Sequence, residues 1–316
     1  MPDETWPPLP LEDWKSTYET LHRWTQMVGK VRLNLTPYVN HFWNCALYLT
    51  ARGLTTSAIP YRGRSFEVRF DFITHNLLID TSDGEWRHMP LRPTSVASFY
   101  AEFMSLLHSL DIDARIWTKP VEIAEPIAFD EDLVHADYDP LAVTRFFKVL
   151  SQTDQVLKRF MGGFLGKQSP AHFFWGSFDL AQSRFSGRRA PLPPDADFLR
   201  KACYSHEVMS FGFWPGAPGS TDASFYAYAV PEPPGFRDAQ LLPEAAGWSE
   251  HYSEFLLPYD VLRLAKSPAD ELFSFFESAY DAGATLGEWN RDELDAIGTY
   301  TAPIAGGWEA TAEETP

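Results

Sequence analysis

Residues 65–72 read Ser-Phe-Glu-Val-Arg-Phe-Asp-Phe. Phe66, Val68, Phe70 and Phe72 fall on one side of an extended chain and Glu67, Arg69 and Asp71 on the other, the two-residue period of a strand with one packed and one wet face. The pattern returns later. Adding 140 carries Ser65, Glu67 and Val68 onto Ser205, Glu207 and Val208, and adding 141 carries Phe70 and Phe72 onto Phe211 and Phe213, a slip that a β-bulge absorbs. Adding 131 carries His41, Phe42, Trp43 and Leu49 onto His172, Phe173, Phe174 and Leu180. Adding 173 superimposes Val96, Phe99, Tyr100, Phe103 and Leu107 on Ala269, Leu272, Phe273, Phe276 and Tyr280. These correspondences predict an α+β protein of two similar halves, each helix–antiparallel strands–helix, related by a pseudo-twofold through internal duplication.

The remaining periodicity fills in the halves. Trp14, Tyr18, Leu21, Trp24 and Val28 recur at helical spacing, with Gly29 as a stop. Val31–Leu35, Cys45–Thr50 and Leu77–Thr81 read as strands, the last ending in the Asp83-Gly84 turn signal. Ala114–Trp117 reads as a short strand, and a long helix from Leu141 carries Phe146, Leu150, Leu157 and Phe160 inward and ends near Gly162-Gly163. The predicted organisation is a flexible lead over 1–12, a first half over 13–118, a Pro-containing linker over 119–140, a second half over 141–295 and a disordered tail over 296–316.

Composition removes several classes of function. The net charge is −17, with 26 basic against 43 acidic side chains, which disfavours nucleic acid and anionic membranes as partners. No apolar run is long enough for a membrane span, the N-terminus lacks a signal-peptide pattern, and Cys45 and Cys203 lie far apart. A reducing, cytoplasmic location is therefore expected. Neither a glycine-rich phosphate cradle nor GxSxG nor HExxH occurs, so no nucleotide cofactor is expected.

The strings Leu21-His-Arg-Trp-Thr-Gln, Val39-Asn-His-Phe-Trp, Thr50-Ala-Arg-Gly-Leu-Thr-Thr-Ser57, His172-Phe-Phe-Trp-Gly-Ser-Phe-Asp-Leu180, Ser205-His-Glu-Val208 and Phe255-Leu-Leu-Pro-Tyr-Asp260 resemble those of a bacterial domain-of-unknown-function family, number 5996. The similarity covers roughly residues 12–295. It implies a bacterial, single-copy, full-length domain and assigns no activity.

Chemistry concentrates in Ser169–Pro191, which holds His172, Asp179, Arg184, Arg188 and Arg189 among aromatic residues. Two readings compete there. In the first, a site for iron or zinc is drawn from His172, His206, Glu207, Asp179 and His41, since two imidazoles and a carboxylate are a common ligand set. Strand geometry allows a triad of His172, Glu207 and one further ligand but not all five. Adjacent residues of one strand diverge, so His206 and Glu207 cannot both join it. His172 and Asp179 can do so only if the strand between them is interrupted, at Gly176 for example. In the second reading, Arg184 and Arg52 face a carboxylate or phosphate in an aromatic pocket containing Trp43, Trp175 and Phe213. Glu207, Asp179 and Arg184 are the candidate catalytic residues. The expectation is a small-molecule enzyme, possible metal assistance included, against a non-catalytic binding protein or a structural one.

Overall fold

The structure, a computed structural model, describes residues 5–192, 194–217 and 222–296. Helix α1, Lys15–Leu35, is buried on nearly every side from Thr17 to Arg32, so its polar residues must find partners within the protein. Gln26 does so by gripping a backbone: its Nε2 donates to Val121 O (2.8 Å) and its Oε1 accepts from Val121 N (2.9 Å). Lys30 Nζ donates to Trp117 O (3.0 Å) and to Lys119 O, and Arg23 pairs with buried Asp132 at 3.2 Å. The segment between the halves is thereby strapped along α1.

This burial corrects two expectations. Gly29 does not end the helix: a Cβ there would lie 2.1 Å from Trp175 Cδ1, so the glycine is a notch that lets Trp175 pack against α1. Val31–Leu35 continues the helix instead of forming a strand, because β-branched residues are accepted in a helix where packing rewards them. Ala114–Trp117 is not a strand either. Its Trp117 carbonyl is taken by Lys30.

After α1 come β1 (Tyr48–Thr50), β2 (Gly53–Thr55), β3 (Ile59–Tyr61), β4 (Arg64–Asp71), β5 (Asn76–Thr81), β6 (Trp86–Pro90) and α2 (Val96–His108). The second half has α3 (Pro140–Gly162), β7 (His172–Phe174), β8 (Asp179–Arg189), α4 (Phe198–Cys203), β9 (His206–Gly216) and β10 (Asp222–Val230). It closes with β11 (Gly247–Ser249), β12 (Glu254–Pro258), α5 (Tyr259–Leu262), α6 (Pro268–Leu286) and α7 (Arg291–Leu294). The strands form two six-stranded antiparallel sheets, β1-β2-β4-β5-β6 with β3 on β4, and β11-β12-β10-β9-β8-β7. The α+β class is as expected. The sheets meet edge to edge where Leu47 and Phe173 exchange both backbone hydrogen bonds (2.9 and 2.7 Å).

One hydrophobic core runs through both halves. The alternation in β4 places Phe66, Val68 and Phe70 in it, and Asp83-Gly84 turns the chain between β5 and β6. Where it is described, the lead packs on the second half: Trp6 lies on Phe225 and Tyr259, and Tyr259 Oη donates to Pro7 O (2.6 Å). The expected disordered tail lies, from residue 297 on, outside the described residues.

Candidate functional site

The interruption that would let His172 and Asp179 share a face is present, and it is a turn. β7 ends at Phe174, the chain reverses through Trp175–Phe178, and β8 begins at Asp179, so Phe174 pairs with Asp179 and His172 with Ala181. Cross-strand partners lie on one face of a sheet, which puts His172, Phe174, Asp179 and Ala181 together. The turn is held from below by His22 Nε2, which donates to Trp175 O (3.0 Å) and Gly176 O (2.9 Å). Trp175 Nε1 donates to Cys45 O (2.8 Å) and ties it to the first half.

That face of β7–β10 floors a cavity of about 550 Å³. Asp179, Ala181, Ser183 and Phe185 come from β8, Val208 and Ser210 from β9, and Tyr226 and Tyr228 from β10. Its walls are Trp175, the segment 41–45 with Trp43 and Cys45, Val121 and Glu122 of the strapped connection, and the α4 region with Leu199, Cys203 and Tyr204. α4 and residues 40–42 cover one side, through Phe198 against Phe42 (ring centres 5.6 Å apart) and His41 Nδ1–H donating to Cys203 O (2.9 Å). His41, Phe42, Glu122 and Phe178, all at or next to the cavity, have left-handed backbones that cost energy for non-glycine residues, as do seven further described residues away from it.

The polar groups inside are few. Asp179 accepts from Ser177 Oγ and Tyr226 Oη, and its burial raises its carboxyl above the usual range despite those donors. Ser183 and Ser210 hydroxyls are 3.0 Å apart, and Tyr204 and Tyr228 hydroxyls 3.4 Å. Glu122 is exposed as a residue, yet its carboxyl folds over Gly176, where a Cβ would sit 2.4 Å from Oε1. Burial of that end, and then the Asp179 charge, raise it. His172 is completely buried, neither ring nitrogen has a hydrogen-bond partner, and burial lowers it to about 3, so it is a neutral imidazole. Burial pushes the Cys45 thiol up to about 12 and Cys203 to about 11, which keeps both protonated.

Of the sequence candidates, Asp179, His172, Trp43 and Trp175 meet in this cavity. Arg184 does not. It lies an odd number of residues from Asp179 on β8 and points to the opposite face, its guanidinium 3.4 Å from the centre of the Phe160 ring, 4.4 Å from that of Tyr280 and 3.7 Å from Glu277. Glu207 also faces away from the cavity, bound to Ser186 Oγ (2.8 Å) and Arg188 Nη2 (2.7 Å). Arg52 is half exposed and pairs with Asp71 (2.7 Å), and Phe213 is core, packed on Phe225 and Tyr259. His206 meets His41 edge-on (ring centres 6.1 Å) outside the cavity lining. The arginine fork is thus not assembled, and among the described residues no three His, Cys, Asp or Glu side chains are grouped to hold a metal ion.

Sequence reasoning missed Tyr226, Tyr228, Tyr204, Glu122 and the paired serines. The alternation Tyr226-Ala227-Tyr228-Ala229 carried the signal for the first two. Among the described residues no helix is long and apolar enough to cross a membrane. No curated protein and no solved structure matches the chain. The model of the family described as Family of unknown function (DUF5996) matches residues 6–296.

Proposed function

The chain belongs to this family of unknown function, which assigns no activity, and we propose that it binds a small, largely apolar molecule in the cavity between the β7–β10 face, Trp43 and Glu122. The observation that carries this reading is His172. A buried imidazole with both nitrogens unpaired costs about 1–3 kcal/mol per unmet group. The ring borders the cavity, so a ligand that draws one nitrogen into a hydrogen bond recovers part of that cost. The aromatic and apolar walls around a few convergent polar groups fit a small-molecule site. No Lys or Arg is among the described residues that line it, which favours neither a phosphate nor a carboxylate, and the net charge of −17 speaks against nucleic acid and anionic membranes. The free thiols Cys45 and Cys203 support a reducing, cytoplasmic setting.

An enzyme acting by proton transfer is the second reading, favoured by the raised carboxyl of Asp179 facing the cavity. Duplication of the halves is supported by a shared plan, antiparallel strands in near-sequential order between long helices (β1-β2-β4-β5-β6 with β3 added, β7-β8-β9-β10-β12 with β11 added). The +131 correspondence, which sets Leu49 of β1 on Leu180 of β8, follows a different register. Ligand-observed NMR with a library of small compounds tests the binding reading. Binders are expected for the wild type and lost in Ala181→Leu, which fills the floor. Binders indifferent to Ala181→Leu would contradict it.

A further inference from the structure

The charge character of the cavity narrows the ligand class. Two carboxyl groups, Asp179 and Glu122, line it without any Lys or Arg among the described residues that do so. A third, Glu254, stands on β12 next to the β10 row that carries Tyr226 and Tyr228. Burial, and then the charge of Asp179, raise Glu254 to about 7. Buried carboxyls, two of them raised further by the charge of the third, with no counter-ion, either hold protons or await a cation.

The surroundings fit a cation in other ways. Trp43, Trp175, Tyr204, Tyr226 and Tyr228 present aromatic side chains to the same space, and aromatic faces attract cations while tolerating their apolar substituents. Glu122 makes no hydrogen bond among the described residues, although Gln26 fixes the backbone just before it through Val121. Its carboxylate is thus delivered to the rim and left uncommitted. His172, neutral and unpartnered, offers an acceptor without adding a competing positive charge.

We propose that the cavity takes an organic ammonium ion with an apolar or aromatic body. Asp179 and Glu122 supply the counter-charge, the tryptophans and tyrosines enclose the cation, and His172 accepts a hydrogen bond from an N–H or O–H of the ligand. This inference rests on the small-molecule reading and adds the sign of the charge.

Isothermal titration of the full chain separates the two. The probes are benzyltrimethylammonium and choline, their neutral counterparts benzyl alcohol and 3,3-dimethylbutan-1-ol, and benzoate. The cations are expected to bind about ten-fold or more tightly than the neutral partners, with benzoate weakest. Asp179→Asn should remove that advantage, so that each cation and its neutral partner bind within about two-fold of one another. Should Asp179→Asn fail to fold, Glu122→Gln on the rim should still weaken the cations several-fold. Neutral compounds binding as tightly as the cations, or benzoate binding best, would overturn the ammonium assignment and leave the cavity as a ligand site. No binding by any probe would overturn both.

Discussion

The Tyr226 hydroxyl donates to Asp179 across an intervening strand, and Gly212 of β9 is what lets it pass. Ala181, Gly212 and Tyr226 lie in one cross-strand row, so the tyrosine side chain runs over Gly212 toward β8. A Cβ at 212 would stand 2.4 Å from Tyr226 Oη and 2.2 Å from Leu180 O. The carboxyl and its donor are therefore built by three strands at once.

Gly212→Ala is expected to destabilise the protein by about 1–3 kcal/mol through overpacking and to release Tyr226 from Asp179. Denaturant unfolding measures the first, and the titration of Asp179 followed by carbon NMR measures the second. A carboxyl that loses a donor to its charged form should titrate still higher.

His172 gives a pH signature. Its folded value, about 3, lies below the ordinary 6.5, so the unfolded chain takes up a proton that the folded one refuses. The stability it contributes is complete above pH 6.5 and is lost as pH falls from there toward 3. Between pH 7 and 5 this amounts to about 2 kcal/mol. His22, lowered to about 4 by burial, adds in the same direction. The unfolding free energy of wild type minus that of His172→Leu should fall by that amount as the pH is lowered from 7 to 5. Parallel curves would show that His172 titrates normally.

Arg184 belongs to the scaffold and not to the site. Its Nη2 donates to Phe160 O, and it is walled by Phe160, Phe164 and Tyr280. Arg184→Ala should cost about 3 kcal/mol, because it empties a fully buried position and strips Glu277 of its partner. Binding in the cavity should be unchanged at temperatures where the variant stays folded. A variant of full stability with altered binding would reverse the assignment.

The contrast between Asp179 and Arg184 also shows what was legible in the chain. Strands such as β4 and β5, the long helices and the α+β class followed from period and turn chemistry, as in Phe66–Phe72 and Asp83-Gly84, whereas the expected strands Val31–Leu35 and Ala114–Trp117 did not form. Parity along β8 could have separated Asp179 from Arg184, but the aromatic and charged cluster drew both into one hypothesis. Glu122 was beyond reach. It sits in an irregular connection, and only the long-range grip of Gln26 on Val121 brings it to the cavity. Gly29 misled for a related reason: a stop and a packing notch look alike until Trp175, far along the chain, is seen against it.

The claim that the cavity is where a ligand sits is tested most directly by fluorine NMR on protein labelled with 5-fluorotryptophan. The chain has 11 tryptophans, and two of them, Trp43 and Trp175, line the cavity. Signals assigned by Trp43→Phe and Trp175→Phe should shift on titration with benzyltrimethylammonium or any compound found to bind, while core residues such as Trp24 and Trp14 stay fixed. Shifts confined to tryptophans elsewhere, with Trp43 and Trp175 unmoved, would contradict the account.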